Sequence, residues 1–148
     1  MADFVFNIAL GRLAYYATLP GANDALVLVP LEASGIEADG TLRDYDTLQA
    51  LLAASNNEQS TMGRKTITSV TVTVDDTNNR QDVDFADPTW TAATGNPTSD
   101  VLVCYDPDTT GGDDSTIIPL TCHDFAVTPD GTNVVAELNS AGFYRAQG

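Results

Sequence analysis

Hydrophobic and polar positions alternate along much of the second half of the chain. Between Val70 and Val74 every second residue is valine, and threonines occupy the positions between them. A period of two is typical of a strand that buries one face in an antiparallel sheet. Residues 25–31 are apolar without alternation, which predicts a strand buried on both faces. Turn-forming residues separate further predicted strands at 81–85, 89–93, 101–105, 116–120, 125–128, 134–138 and 142–145.

Two stretches have helical spacing instead. Residues 7–19 place several apolar side chains on one face behind Asn7, a residue that suits a helix N-cap. Gly11 lies inside this stretch, and a strand through Leu10 is the alternative. Residues 44–54 form the stronger pattern. The side chains that share one face of this second helix are Tyr45, Leu48, Leu51 and Leu52.

These patterns predict a mainly β (α+β) protein, either an antiparallel β-sandwich or a small barrel, with one or two short helices. The 148 residues suit a single domain, 1–148. Within it we expect an N-terminal half of helices and strands (1–60) to pack on a β-rich C-terminal half (61–148).

The net charge of the chain makes some classes of binding partner improbable and favours others. Six basic residues face 21 acidic ones, which gives a net charge of -15. Such a surface repels nucleic acid and anionic membranes, so neither is expected as a partner, whereas a protein with a basic or mixed patch is. No basic segment leads into an apolar stretch near Met1, and no stretch is long enough to span a membrane, so we expect folding in the cytoplasm.

An acidic loop at 105–115 is the candidate metal site. Asp106, Asp108, Asp113 and Asp114 could supply carboxylate oxygens to calcium. The EF-hand spacing is absent, and no glutamate closes the loop. The preferred interpretation is therefore a solvated hairpin loop, with calcium binding as the alternative, and we expect no metal or other cofactor.

His123 is the only histidine, and it lies between Cys122 and Asp124. Consecutive side chains on a strand point to opposite faces, so we expect Cys122 and His123 to diverge and to form no catalytic pair. Cys104 and Cys122 each lie in an apolar run and predict buried thiols, with a disulfide as the alternative if the two runs are adjacent strands. No enzymatic activity is expected. Trp90 predicts a core anchor, with a sugar-stacking platform as the alternative.

Segments along nearly the whole chain resemble one family of proteins. They include Met62-Gly63-Arg64-Lys65 and the final Gly142-Phe143-Tyr144-Arg145-Ala146. The remaining segments are 2–9, 35–39, 75–78, 90–93, 102–106, 117–121 and 123–131. Together they resemble a family of small proteins encoded in the structural-gene regions of actinobacterial tailed phages.

The resemblance implies a protein of the virion, made in the cytoplasm of the bacterial host. The preferred interpretation is a head decoration protein, which binds the outer surface of the major capsid protein lattice and stabilises the mature head. A minor tail protein is the first alternative, and a calcium- or carbohydrate-binding β-sandwich module is the second. Self-association, for example as a trimer, remains open.

Exposed termini and loops reach neighbouring subunits most easily. The candidate partner contacts are therefore Ala2, Asp3, Phe4, Met62, Gly63, Arg64 and Lys65.

Overall fold

The computed structural model describes residues 2–67 and 69–148, which consist mostly of antiparallel β-structure. Within these ranges three short α-helices, α1 to α3, lie at Leu13–Thr18, Asp39–Leu42 and Leu48–Ala53, and a 3-10 turn lies at Asn7–Ala9. The strands, β1 to β10, are Phe4–Val5, Ala25–Glu32, Lys65–Ile67, Val70–Asp75, Arg80–Phe85, Thr89–Trp90, Thr98–Asp106, Ile118–Val127, Val134–Val135 and Tyr144–Gln147.

The strands form three antiparallel sheets. The largest has the order β1-β8-β7-β2-β3, a second has the order β10-β5-β4, and β6 pairs with β9. None of these sheets closes into a barrel within the described ranges. The architecture is a small β-sandwich-like α+β fold, so the predicted fold class is confirmed in its sandwich form.

The five-stranded sheet separates two hydrophobic clusters. Because successive side chains of a strand point to opposite faces, neighbours such as Val101 and Leu102 belong to different clusters. We call one side the sealed face; its buried sheet residues are Val27, Val29, Leu31, Leu102, Cys104 and Cys122. We call the other side the open face; its sheet residues include Leu26, Leu28, Val101, Val103, Tyr105 and Phe125.

Different elements cover the two faces. Phe6, α2 and α3 cover the sealed face, and they contribute Leu42, Leu48 and Leu51, which are fully buried. The three-stranded sheet and α1 cover the open face, with Val83 and Leu13 among their buried residues. The open face is thus the interior of the sandwich, between the two larger sheets.

The helix predicted over residues 7–19 is interrupted. Asn7–Ala9 is a 3-10 turn and α1 begins only at Leu13, because Gly11 has φ +71°, a left-handed conformation that an α-helix cannot contain. Asn7 does not cap a helix. Its side-chain amide donates a hydrogen bond to Asp44 Oδ1 at 2.6 Å instead.

The helix predicted over residues 44–54 is shorter at its start. α3 begins at Leu48, and the hydroxyl of the extended residue Thr47 accepts a hydrogen bond from Ala50 N at 3.2 Å. The backbone N–H of Leu48 donates to Ile117 O at 2.9 Å. A tertiary contact therefore fixes this helix start, because it satisfies a donor that the first turn leaves free.

Most of the predicted strands are present, but the bounds of several differ from the prediction. Residues predicted as two strands, 116–120 and 125–128, form one continuous strand, β8. The strand predicted at 134–138 shrinks to the two residues of β9. Beyond β9, Ala136 N donates to Pro88 O and Leu138 N donates to Asp87 Oδ1, so loop contacts replace strand pairing.

The two predicted halves of the domain share one sheet. β2, from residues 1–60, lies between β7 and β3, both from residues 61–148. In the ranges described, no helix is both long and apolar enough to cross a membrane.

Candidate functional site

The N-terminal segment predicted for partner contact is docked on the edge of the five-stranded sheet. β1 pairs with β8, and Phe4 lies opposite Cys122. The Asp3 carboxylate accepts a hydrogen bond from Asp124 N at 2.9 Å, and Ala2 N donates to Asp39 Oδ2 at 3.1 Å. The segment therefore has partners in its own chain, while Ala2 and Asp3 remain exposed to solvent.

Asp3 also holds His123. Its Oδ2 lies 3.3 Å from His123 Nδ1, and His123 Nε2 lies 2.8 Å from Thr121 Oγ1. Partial burial favours the neutral carboxyl group, but the bonds from Asp124 N and His123 outweigh it and lower the pKa of Asp3 below its ordinary 3.8. The ring of His123 is thus fixed on both sides.

A hydroxyl, an imidazole and a carboxylate in line resemble the arrangement that activates a nucleophile in acyl transfer. Thr121, however, is only 2% exposed, and it does not line the neighbouring cleft. A substrate has no approach to its oxygen, so the arrangement orients the histidine. Cys122 lies on the sealed face, which confirms that Cys122 and His123 diverge.

A cleft of about 470 Å³ opens beside His123, between β7 and β8 on one side and the segment after β9 on the other. Its size lies within the range of about 300–1,000 Å³ that is usual for ligand sites. The apolar wall residues are Leu28, Phe85, Val101, Val103, Phe125, Val135, Ala136, Leu138 and Phe143. The polar lining residues are Asp3, His123, Asp124, Glu137 and Asn139.

The aromatic residues of the wall contact one another. The ring centroids of Phe85 and Phe143 are 5.0 Å apart, and His123 meets Phe143 edge-on at 6.3 Å. Phe125 packs against Trp90 with centroids 5.6 Å apart. The cleft therefore presents aromatic surface below a rim of acceptor groups, and none of its described lining residues is a lysine or arginine.

Gly142 shapes the far wall of the cleft. It has φ +86°, and a Cβ at this position would collide with the carbonyl of Val83. Asn139 begins the turn by accepting a hydrogen bond from Gly142 N at 2.8 Å through its backbone oxygen. This turn brings Phe143 back against β5, where its N–H donates to Val83 O at 3.0 Å.

The four candidate calcium ligands do not converge. Asp108 Oδ1 accepts from Thr110 N at 3.0 Å and from Gly111 N at 3.1 Å, and Asp113 caps its own turn at Ser115. These bonds lower the pKa of both Asp108 and Asp113.

Asp106 accepts a bond from Asp108 N at 3.0 Å, and Asp114 binds Arg64. In the described residues of the chain, no three His, Cys, Asp or Glu side chains are placed to hold one metal ion.

The Met62–Lys65 loop is tied to the rest of the molecule. Arg64 bonds both oxygens of Glu58, at 2.8 and 2.7 Å, and both oxygens of Asp114, at 2.7 and 3.0 Å. These bonds raise the pKa of its guanidinium. Trp90, buried as predicted for a core anchor, donates from Nε1 to Gly63 O at 2.9 Å, and Lys65 Nζ lies 6.0 Å from its ring centroid.

The two cysteines are buried, free thiols whose pKa is raised by burial. They lie on adjacent strands but not opposite each other, because Cys122 faces Leu102 and Cys104 faces Pro119. The predicted alternative of a disulfide is absent in this structure, and the predicted buried thiols are confirmed.

Sequence reasoning identified His123 and Asp3 separately but missed the cleft and its residues Phe143 and Glu137. The signal available was Asn139 followed three residues later by Gly142, a pair that favours a turn between the strands predicted at 134–138 and 142–145. Comparison of the chain with protein-family models, with curated proteins and with solved structures gives no match.

Proposed function

We propose that this chain is a virion structural protein of a tailed phage, without catalytic activity, that decorates the outer surface of the major capsid protein lattice. The resemblance described above supports this function. The observation that carries it is electrostatic: three of the six basic side chains are paired with carboxylates of the same chain, and many of the 21 acidic residues face the surroundings.

Three arginines illustrate this internal neutralisation. Arg64 binds Glu58 and Asp114, Arg80 lies 3.1 Å from Asp75, and Arg145 binds Asp82 at 2.6 and 2.9 Å. Two further cations contact aromatic rings, since Arg43 lies over Phe4 and Lys65 lies near Trp90. Arg12 is exposed. A surface of this sign favours docking on a basic or mixed patch of a partner protein.

The framework also suits a protein that binds to a lattice. Two packed sheets give a preformed surface, and little chain has to be ordered on docking. A protein that binds only the mature lattice stabilises that lattice by mass action, and many copies on one shell multiply modest contacts.

The test is to locate the protein in purified particles of the phage that encodes it. We expect it to co-sediment with DNA-filled heads in many copies, and to rebind when recombinant protein is added to heads from a deletion strain. Deletion heads should lose DNA at a lower temperature than wild-type heads, and rebinding should restore their resistance. Absence from virions, or recovery with detached tails alone, would reject the head location.

A further inference from the structure

The cleft on the open face has the features of a binding site for a specific side chain. We propose that it receives the side chain of an arginine presented by the partner protein. This inference rests on the proposed function, because it names the chemistry by which the acidic protein would hold its partner. Aromatic surface, carboxylates and cavity size each support it.

The aromatic surface is the first observation. Phe85, Phe125 and Phe143 line the cleft, and the last two are half-buried, so that some of each residue remains accessible. A guanidinium group is planar and weakly hydrated, and it stacks on aromatic rings. The face of an aromatic ring attracts a cation. A cleft walled by phenylalanines therefore favours an arginine over a neutral polar side chain.

The carboxylates of the rim are the second observation. Glu137 is exposed, and it forms no hydrogen bond or ion pair with the other described residues. Asp3 is held by His123 and Asp124 N, yet its side chain is 64% exposed, so it keeps acceptor capacity toward the cleft. A guanidinium group offers five N–H donors in a planar arrangement, whereas the three N–H donors of a lysine share one nitrogen atom.

The size of the cavity is the third observation. About 470 Å³ is more than one arginine side chain fills, so an apolar neighbour of the arginine can pack on Val135 and Leu138. The expected occupant is therefore an arginine next to an aliphatic residue, in a loop or extended segment of the partner. Among the residues described, no lysine or arginine of this chain lines the cleft and competes for the rim.

The experiment is an NMR titration of the isotope-labelled full chain with the dipeptide N-acetyl-arginyl-leucinamide. The matched probe is N-acetyl-citrullyl-leucinamide, which has nearly the same shape but no charge. We expect saturable shifts at backbone amides of residues 123–125 and 135–143 with the arginine probe only. Shifts of equal size with both probes, shifts elsewhere, or tighter binding of the corresponding lysine probe would overturn the assignment.

Variants sharpen the measurement. Glu137→Gln should weaken binding of the arginine probe about threefold, the effect of removing one exposed ion pair. Phe143→Leu keeps an apolar wall but removes a ring, and it should weaken binding about two- to fivefold. Asp76→Asn removes the same charge at an exposed turn outside the cleft, and it should leave the affinity unchanged. Equal weakening by Glu137→Gln and Asp76→Asn would show general charge attraction and reject the site.

Peptide binding and virion association are separate readouts. If the protein decorates heads but does not bind the arginine probe, the cleft assignment fails while the proposed function stands. If the probe binds in the cleft and the protein is absent from virions, the proposed function fails. If Glu137→Gln and Phe143→Leu weaken both probe binding and head binding, whereas Asp76→Asn weakens neither, the cleft is the docking site.

Discussion

The two faces of the five-stranded sheet are built from the same strands, but other elements cover them to different extents. On the sealed face, α2 and α3 close over fully buried aliphatic residues such as Val29 and Leu102. On the open face, the three-stranded sheet and α1 leave some of the sheet uncovered, and the turn at 139–142 leaves a cleft beside Val101 and His123. One side of the sheet is therefore closed by helices, whereas the other combines a buried core with a cleft that opens to solvent.

The largest expected effect comes from the sealed face. Leu102→Ala should lower the free energy of unfolding by about 2–5 kcal/mol, because it leaves a cavity among residues that cannot collapse into it. Denaturant unfolding measures this loss. Leu102 lies opposite Cys122, so the variant should also speed reaction of that thiol with a thiol reagent. A loss under about 1 kcal/mol would contradict a closed, well-packed face.

Truncation of one valine on each face allows the packing of the two faces to be compared directly. Val29→Ala and Val101→Ala each remove two methyl groups, worth about 1.5 kcal/mol in lost burial. At Val29, which is fully buried, a cavity term adds to this loss, whereas the space left by truncating Val101 would open onto the adjoining cleft. We expect Val29→Ala to cost about 1 kcal/mol more than Val101→Ala in denaturant unfolding. Equal losses would mean that both sides are packed alike.

Two aspartates should give opposite dependences of stability on pH. Burial raises the pKa of Asp100 on the sealed face above 3.8, and its Oδ2 has no hydrogen-bond partner among the described residues. Its contribution to stability is fully present below pH 3.8 and is lost as the pH rises through the raised pKa. Asp100→Asn should therefore raise stability at pH 7 by about 1 kcal/mol, with a gain that shrinks toward pH 4.

Asp3, beside the cleft, should change stability with pH in the opposite direction. Its lowered pKa means that its contribution is present above pH 3.8 and is lost as the pH falls through the lowered value. Asp3→Asn should slightly lower stability at pH 7, and the difference from the wild type should vanish in acid. Melting temperatures of both variants between pH 3 and pH 7 check this pair of signs. Parallel profiles for the two variants would contradict the contrast between the faces.

The smallest expected effect belongs to the rim of the cleft. Glu137 is exposed and makes no bond within the described chain, so Glu137→Gln should change the free energy of unfolding by less than about 0.5 kcal/mol. Asp76→Asn is the control for the lost charge, and denaturant unfolding measures both variants. A larger loss for Glu137→Gln would show that this carboxylate stabilises the fold and is not free for a ligand.

Much of the fold was predictable because burial leaves a periodic pattern. The run at 25–31 predicted β2, an interior strand of the five-stranded sheet, and the alternation from Val70 to Val74 predicted the strand β4. Trp90 was correctly predicted as a core anchor. The helix over 7–19 was wrong because the conformation of Gly11 outweighs the helical spacing around it. The helix over 44–54 was too long because Leu48 N is fixed by Ile117 O.

The candidate site was less predictable. Asp3 and His123 are 120 positions apart, and only the pairing of β1 with β8 brings them together. The carboxylates of the acidic loop were candidate calcium ligands only by their number, because composition does not record the directions of side chains. In the structure the carboxylates of Asp108 and Asp113 accept hydrogen bonds from backbone N–H groups of their own loop, and Asp114 binds Arg64.

The sequence by itself determined the antiparallel β character, the acidity and the identity of the main core strands, because side-chain alternation and charge are properties of neighbouring residues. Only the tertiary structure decided which side of the central sheet is closed, where Asp3 meets His123 and how the turn at Gly142 opens the cleft. These features depend on strand register and on contacts between residues far apart in the chain, which no local pattern encodes.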